Sequence, residues 1–337
     1  MASILPALEK NGVRFSFAAL GFGPTYTAGR MEVGGVAVGS RGHRGRAICI
    51  SGLLLAISVA PAGYASPPPG KLDAASVSAP GFEYAYLPPK SADLMPIYER
   101  VKAADLWRQI PELEAIDGMF TLPRTLHFVT AECGEPGAFY RPEQAQVVVC
   151  YETLRALYQQ GQSHQQALAL GNDHPLRYLR ANVRFIVLHE TGHALVDMLD
   201  LPVTGRQEDA VDQLAAILML RFADFDEQPG EVIDDLRLAA NWMLSRSTGA
   251  YDLDAFADEH ALGEQRFFNL QCQIYGTDPE DFAGMVEAGD LTAARAAGCE
   301  RESRRISRAW VRLLLPYLAP GKEQYREEAE EFLRADG

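Results

Sequence analysis

Hydrophobic patterning divides the chain into two regimes. Up to about residue 150 the apolar positions fall in short runs, and beyond it they recur at three- and four-residue intervals. The runs "TLHFVT" (125–130) and "QVVVC" (146–150) are rich in β-branched residues and bounded by Gly and Pro, which predicts two strands. The turn-rich segment between them, "AECGEPGAFYRPE", predicts that they form an antiparallel pair. Ahead of them, Leu94, Ile97, Val101 and Leu106 predict a helix over 93–109. From Tyr151 onward, helical spacing predicts helices over 151–160, 176–199, 207–223, 231–246, 262–274, 279–287 and 302–317, punctuated by Pro and Gly. The expected class is therefore α+β: a small antiparallel sheet followed by a mainly helical region.

One helix breaks the amphipathic rule. Ile186, Val187, Leu188, Leu195 and Val196 make it apolar nearly all round, yet "HETGH" (189–193) sits in its middle. Two histidines at i and i+4 project from one face and can reach a single ion, while Glu190 stands about 100° round the helix. The alternative is a core helix whose histidines find other partners; buried polar groups need some partner, and a metal would supply one to each. Glu190 is then placed to take a proton from a zinc-activated water and pass it to a leaving amine. Gly192 and Ala194 keep the flanks small, so another element can pack closely.

Catalytic zinc takes three protein ligands and leaves one position for water. In the next helix Val211, Leu214, Ala215, Leu218 and Phe222 define the buried stripe. Glu208 and Asp212 fall on one edge of it, whereas Asp209 points nearly opposite. The connector 201–205 folds this helix back on the first. Glu208 is thus the expected third ligand, and Asp212 the group that orients one histidine through its other ring nitrogen. The alternative is that these acids only favour a helix start. His260, in "ADEHALGEQRFF", is a candidate transition-state stabiliser, with a capping surface histidine as the plainer reading. Tyr275 has a weaker claim to the same role. The stretch "QRFFNLQCQIYG" reads as core, and Arg177, Arg180 and Arg184 read as solvated.

Charge and the N-terminus set the context. With 337 residues and a formal charge of −14, the chain is long enough for a substantial core and carries the wrong sign to bind nucleic acid. Arg41, Arg44 and Arg46 precede "AICISGLLLAISVA", which leads into "PAGYAS". That order predicts a secretory signal over 41–65, cut before Ser66, rather than a membrane anchor, because the apolar run is short for a bilayer. Residues 1–40 read as an N-terminal extension, with Met31 a candidate true start, 66–82 as a Pro- and Ser-rich linker and 83–337 as one domain. No second apolar run of membrane length follows, so export to the periplasm or beyond is expected, without stable membrane insertion. Cys49 leaves with the signal. Cys133, Cys150, Cys272 and Cys299 remain, an even number that suggests disulfides in an exported chain. Three pairings are open; Cys133–Cys150 with Cys272–Cys299 is favoured because each closes a short loop.

The order H-E-x-x-H followed by E-x-x-x-D resembles the zincin metallopeptidases with a glutamate ligand. More widely, "TLPRTLHF", "CGEPGAFY", "VVVCYE", "LPVTGRQEDAVDQLAA", "DEHALGEQRFFNLQCQIYG" and "GCERE" resemble an uncharacterised family of bacterial zinc metallopeptidases, over 84–315. The resemblance implies a zincin-like fold, one catalytic Zn2+ and a peptide or protein substrate. A zinc-binding protein without turnover and a hydrolase of non-peptide amides are the alternatives; Glu190 argues against the first, since zinc binding alone does not need it.

Overall fold

The computed structural model describes residues 80–222, 227, 229–247 and 253–335. The expected extension over 1–40, the expected signal over 41–65 and all but the end of the expected linker lie outside the described residues. The described residues open with β1 (Phe82–Tyr86), α1 (Met95–Ala103), a 3-10 turn at Leu106–Gln109 and α2 (Pro111–Ile116). β2 (Leu126–Ala131), β3 (Ala138–Arg141) and β4 (Gln146–Cys150) follow. The helical region comprises α3 (Tyr151–Leu168), α4 (His174–Met198), α5 (Gln207–Phe222), α6 (Pro229–Ser245), α7 (Leu253–Ala257), α8 (Gly263–Tyr275), α9 (Gly284–Glu287), α10 (Ala293–Leu314) and α11 (Glu323–Arg334).

The class is α+β and mostly helical, but the sheet is mixed rather than antiparallel. Its order is β1-β2-β4-β3, with β1 parallel to β2, β2 parallel to β4, and only β3 antiparallel to β4. The expected antiparallel pairing of the two apolar runs fails because the segment between them contains a strand of its own. β3 turns into β4 through the 3-10 turn Pro142–Gln144 and Ala145, whose φ of 45° closes a tight reversal. β4 thereby gains neighbours on both sides. Val147, Val148, Val149 and Cys150 are all buried, as a continuous apolar run in an interior strand requires. β1 was not anticipated from the sequence: "FEYAY" alternates only weakly, and its rings find their partners far along the chain. Phe82 packs on Phe128 at 5.0 Å between centroids, and Tyr84 stacks with Trp107 at 6.3 Å.

α4 is the spine of the helical region, packing against α3, α5, α6 and the β3–β4 side of the sheet. A Pro in its first turn suits a position where no helix hydrogen bond is lost. Every residue from Ala181 to Gly192 is buried, which explains why its sequence is apolar on all sides. Arg184 lies in that stretch and corrects the expectation of a solvated side chain. Its Nε donates to Glu112 of α2 at 2.9 Å, and its Nη1 to Glu227 at 2.7 Å and Asp235 of α6 at 3.2 Å. Arg177 and Arg180 are exposed, as read from the sequence.

Both favoured disulfides are present, Cys133–Cys150 and Cys272–Cys299. The first ties the loop after β2 to the end of β4, and the second ties α8 to α10. Among the described residues no helix is long and apolar enough to cross a membrane. The two disulfides are consistent with an exported protein.

Candidate metal centre

α4 and α5 meet where their backbones can approach. A β-carbon added at Gly192 would stand 2.9 Å from Cβ of Val211, so a glycine is needed for α5 to lie this close. That approach carries the first turn of α5 to the histidines. Nε2 of His189 lies 3.1 Å from Oε2 of Glu208 and 3.2 Å from Nε2 of His193; the latter lies 3.2 Å from Oε1 of Glu208. One ligand atom from each of the three residues falls within 4.8 Å of the others. Asp209 is not part of this group. A second cluster, Cys133, Cys150 and Glu152, offers no thiolates because its cysteines are bonded to each other.

The donor set fits a cation. Oδ1 of Asp212 lies 2.8 Å from Nδ1 of His189. A carboxylate only accepts, so Nδ1 carries the proton and neutral His189 presents a lone pair at Nε2. That lone pair faces a second imidazole nitrogen and a carboxylate oxygen, an arrangement that needs a positive charge between them. Without a metal, a proton serves. Burial pushes the His189 imidazole down, but hydrogen bonds to Asp212 and Glu208 outweigh it and raise its pKa to about 9. Burial likewise works against the Glu208 carboxylate, yet contacts with His189, His193 and His260 hold it far below the usual carboxylate range. Two imidazoles and one carboxylate are a ligand set typical of zinc.

Metal and proton therefore compete for Nε2 of His189. Below a pKa of about 9 the metal must displace a proton, so apparent zinc affinity is expected to rise with pH and level off near that value. Competition with a chromophoric chelator across the pH range measures this; an affinity independent of pH from 6 to 9 contradicts it.

Glu190 is set differently. It is 8% exposed and lies beside the cluster without joining it. The backbone of Tyr140, on edge strand β3, lies near its carboxylate and favours the ionised form. Burial pushes the Glu190 carboxyl up, and the two neighbouring histidines only partly offset this. Tyr140 also anchors strand to helix, its hydroxyl donating to Oδ2 of Asp197 at 2.8 Å.

Two further side chains complete the site. Arg266 of α8 grips Asp212 with two hydrogen bonds of 2.7 Å, from Nε to Oδ2 and from Nη2 to Oδ1. Sequence reasoning missed Arg266 by reading its stretch as core. Its spacing to Leu270 and Gln273, both buried, places it on the face of α8 that meets α5, and that spacing was the available signal. His260 brings Nε2 to 2.9 Å from Oε2 of Glu208 and Nδ1 to 3.1 Å from Asp258, with its ring stacked on His189 at 6.3 Å. Tyr275 lies more than two turns along α8 from Arg266 and packs against the core instead.

Asp212→Ala and Arg266→Gln are each expected to lower zinc affinity about 10–100-fold by freeing the His189 ring to reorient. Chelator competition on variants of native melting temperature checks this; unchanged affinity in both removes the orienting role.

No curated protein and no solved structure matches the chain. A family model, DUF4344, described as "putative metallopeptidase", matches residues 86–314 and so spans β2, β3, β4, α4, α5 and every residue of the site. The chain belongs to this family.

Proposed function

We propose that the protein is a zincin-type hydrolase that cleaves peptide bonds with one zinc, held by His189, His193 and Glu208. The observation that carries this reading is Glu190, a buried carboxylate beside the three ligand atoms and unused by them. A bound zinc would supply Lewis acidity, polarising the scissile carbonyl and acidifying the attacking water. The remaining steps belong to the chain. Glu190, its carboxyl raised by burial, takes the water proton and delivers it to the leaving nitrogen. Asp212, gripped by Arg266, keeps the proton of His189 on Nδ1. His260 holds its Nε2 on Glu208 at 2.9 Å and would have to turn that N–H from the carboxylate to donate to the oxyanion. β3 is an edge strand next to Glu190, so an extended peptide can add to it as a further strand.

The family assignment supports a peptidase, and the two disulfides support export through the signal at 41–65. Treatment with chelator is expected to abolish cleavage of a broad peptide library, and added zinc to restore it. Cleavage indifferent to chelator would remove the metal from the reaction. Zinc binding without cleavage would leave a binding protein, and cleavage confined to non-peptide amides would change the substrate class.

A further inference from the structure

The face of α4 that carries the chemistry continues beyond it. Phe185, Ile186, His189 and Glu190 follow at i, i+1, i+4 and i+5, so one turn towards the N-terminus the same face becomes apolar. A cavity of about 560 Å³ lies against that face. Phe185 and Ile186 form its floor next to His189 and Glu190, and its walls are Ala156 and Leu157 of α3 with Trp242 and Met243 of α6. Of the polar groups that line it, Nε2 of Gln160 donates to Oγ of Ser245 at 2.8 Å, Oγ1 of Thr153 donates to the carbonyl of Gly137 at 2.7 Å, and Arg246 lies over the Trp242 ring. The end nearest the metal ligands is closed by His260 and Arg266, which are already engaged with Glu208 and Asp212.

We propose that this cavity is the specificity pocket, and that it takes a large apolar side chain, aromatic or leucine-sized, from a substrate residue flanking the scissile bond. The proposal rests on the peptidase reading of the site. Successive residues of an extended peptide advance by about 3.3 Å and one helical turn by about 5.4 Å. A carbonyl held at Glu190 therefore puts a neighbouring side chain over Phe185 and Ile186. A cavity of this size lies in the range that encloses small ligands and leaves room for a ring together with its backbone. Phe185 and Ile186 offer no partner to a charge, and the charged residues that also line the cavity are engaged, Arg246 over the Trp242 ring at 5.1 Å and Asp258 with His260, so acidic and basic side chains are disfavoured by desolvation. Ala156 sets the width, because any larger residue there would project into the space.

The test pairs binding with cleavage, in a series of capped glycine peptides with Phe, Leu, Asp, Lys or Gly at one central position. Binding to the metal-free protein is followed by calorimetry, and cleavage by the zinc-loaded protein by mass spectrometry. Full burial of such a side chain corresponds to roughly a 10–100-fold gain in binding, so Phe and Leu peptides are expected to exceed Gly, Asp and Lys by at least tenfold. Ala156→Trp is expected to erase that preference, and Trp242→Ala, which widens the opposite wall, to shift it towards larger rings. Melting curves establish that each variant is folded. The wild-type series decides the matter even if neither variant folds. Equal binding across the series overturns the pocket, as does a preference that survives in folded Ala156→Trp. Preferential binding with no cleavage supports the pocket and overturns the peptidase reading; cleavage without preference does the reverse.

Discussion

Glu190→Gln is expected to keep its zinc and lose its turnover. Glutamine preserves the size of the side chain and its reach to Tyr140, but its amide cannot take up the proton of the attacking water. His189, His193 and Glu208 are untouched, so zinc content and melting temperature should stay at wild-type values. Loss of general acid–base assistance typically costs about 10²–10⁴-fold in rate. Turnover and metal content must therefore separate. Peptide cleavage within a few-fold of wild type would show that Glu190 does not move the proton, and parallel loss of zinc would make it structural.

The largest effect on stability is expected at Arg184, outside the site. Glu112 is fully buried beneath its guanidinium, while Glu227 and Asp235 hold the other side. Burial pushes the Asp235 carboxyl up to about 6 and also raises Glu112, and the Arg184 guanidinium works against burial at both. Arg184→Ala strands a buried carboxyl, and breaking a buried pair in this way costs about 3–5 kcal/mol. Urea denaturation should show that loss. Adding Glu112→Gln should recover part of it by removing the uncompensated charge. A loss of under about 1 kcal/mol, as for a surface pair, would mean that the cluster is solvated in solution.

The contrast between these two sites shows what a sequence displays. His189, Glu190 and His193 lie within one turn of one helix, so their spacing alone puts the imidazoles on one face. Glu208, Asp209 and Asp212 could be separated because the buried stripe of α5 fixes the phase of its first turn. Local periodicity carries that much. Arg184 reads as a solvated cation and Arg266 as part of a core stretch because the acids they meet are 72 and 54 residues away, on other helices. Nothing within α4 or α8 reveals those carboxylates. The sheet was misjudged for the same reason. "VVVC" identifies β4 as a strand, but its parallel partner β2 and the edge strand β3 depend on chain crossings that no run of six residues encodes. The cavity beside Glu190 lies further still from view, since three helices have to converge to form its walls.

Metal content, measured on the folded protein after zinc loading and removal of excess, tests the metal centre most directly. Plasma mass spectrometry is expected to find one zinc per chain in the wild type and in Asp209→Ala, and little in Glu208→Ala. A wild type without zinc, or a Glu208→Ala that retains it while Asp209→Ala loses it, would contradict the assignment of His189, His193 and Glu208 as ligands.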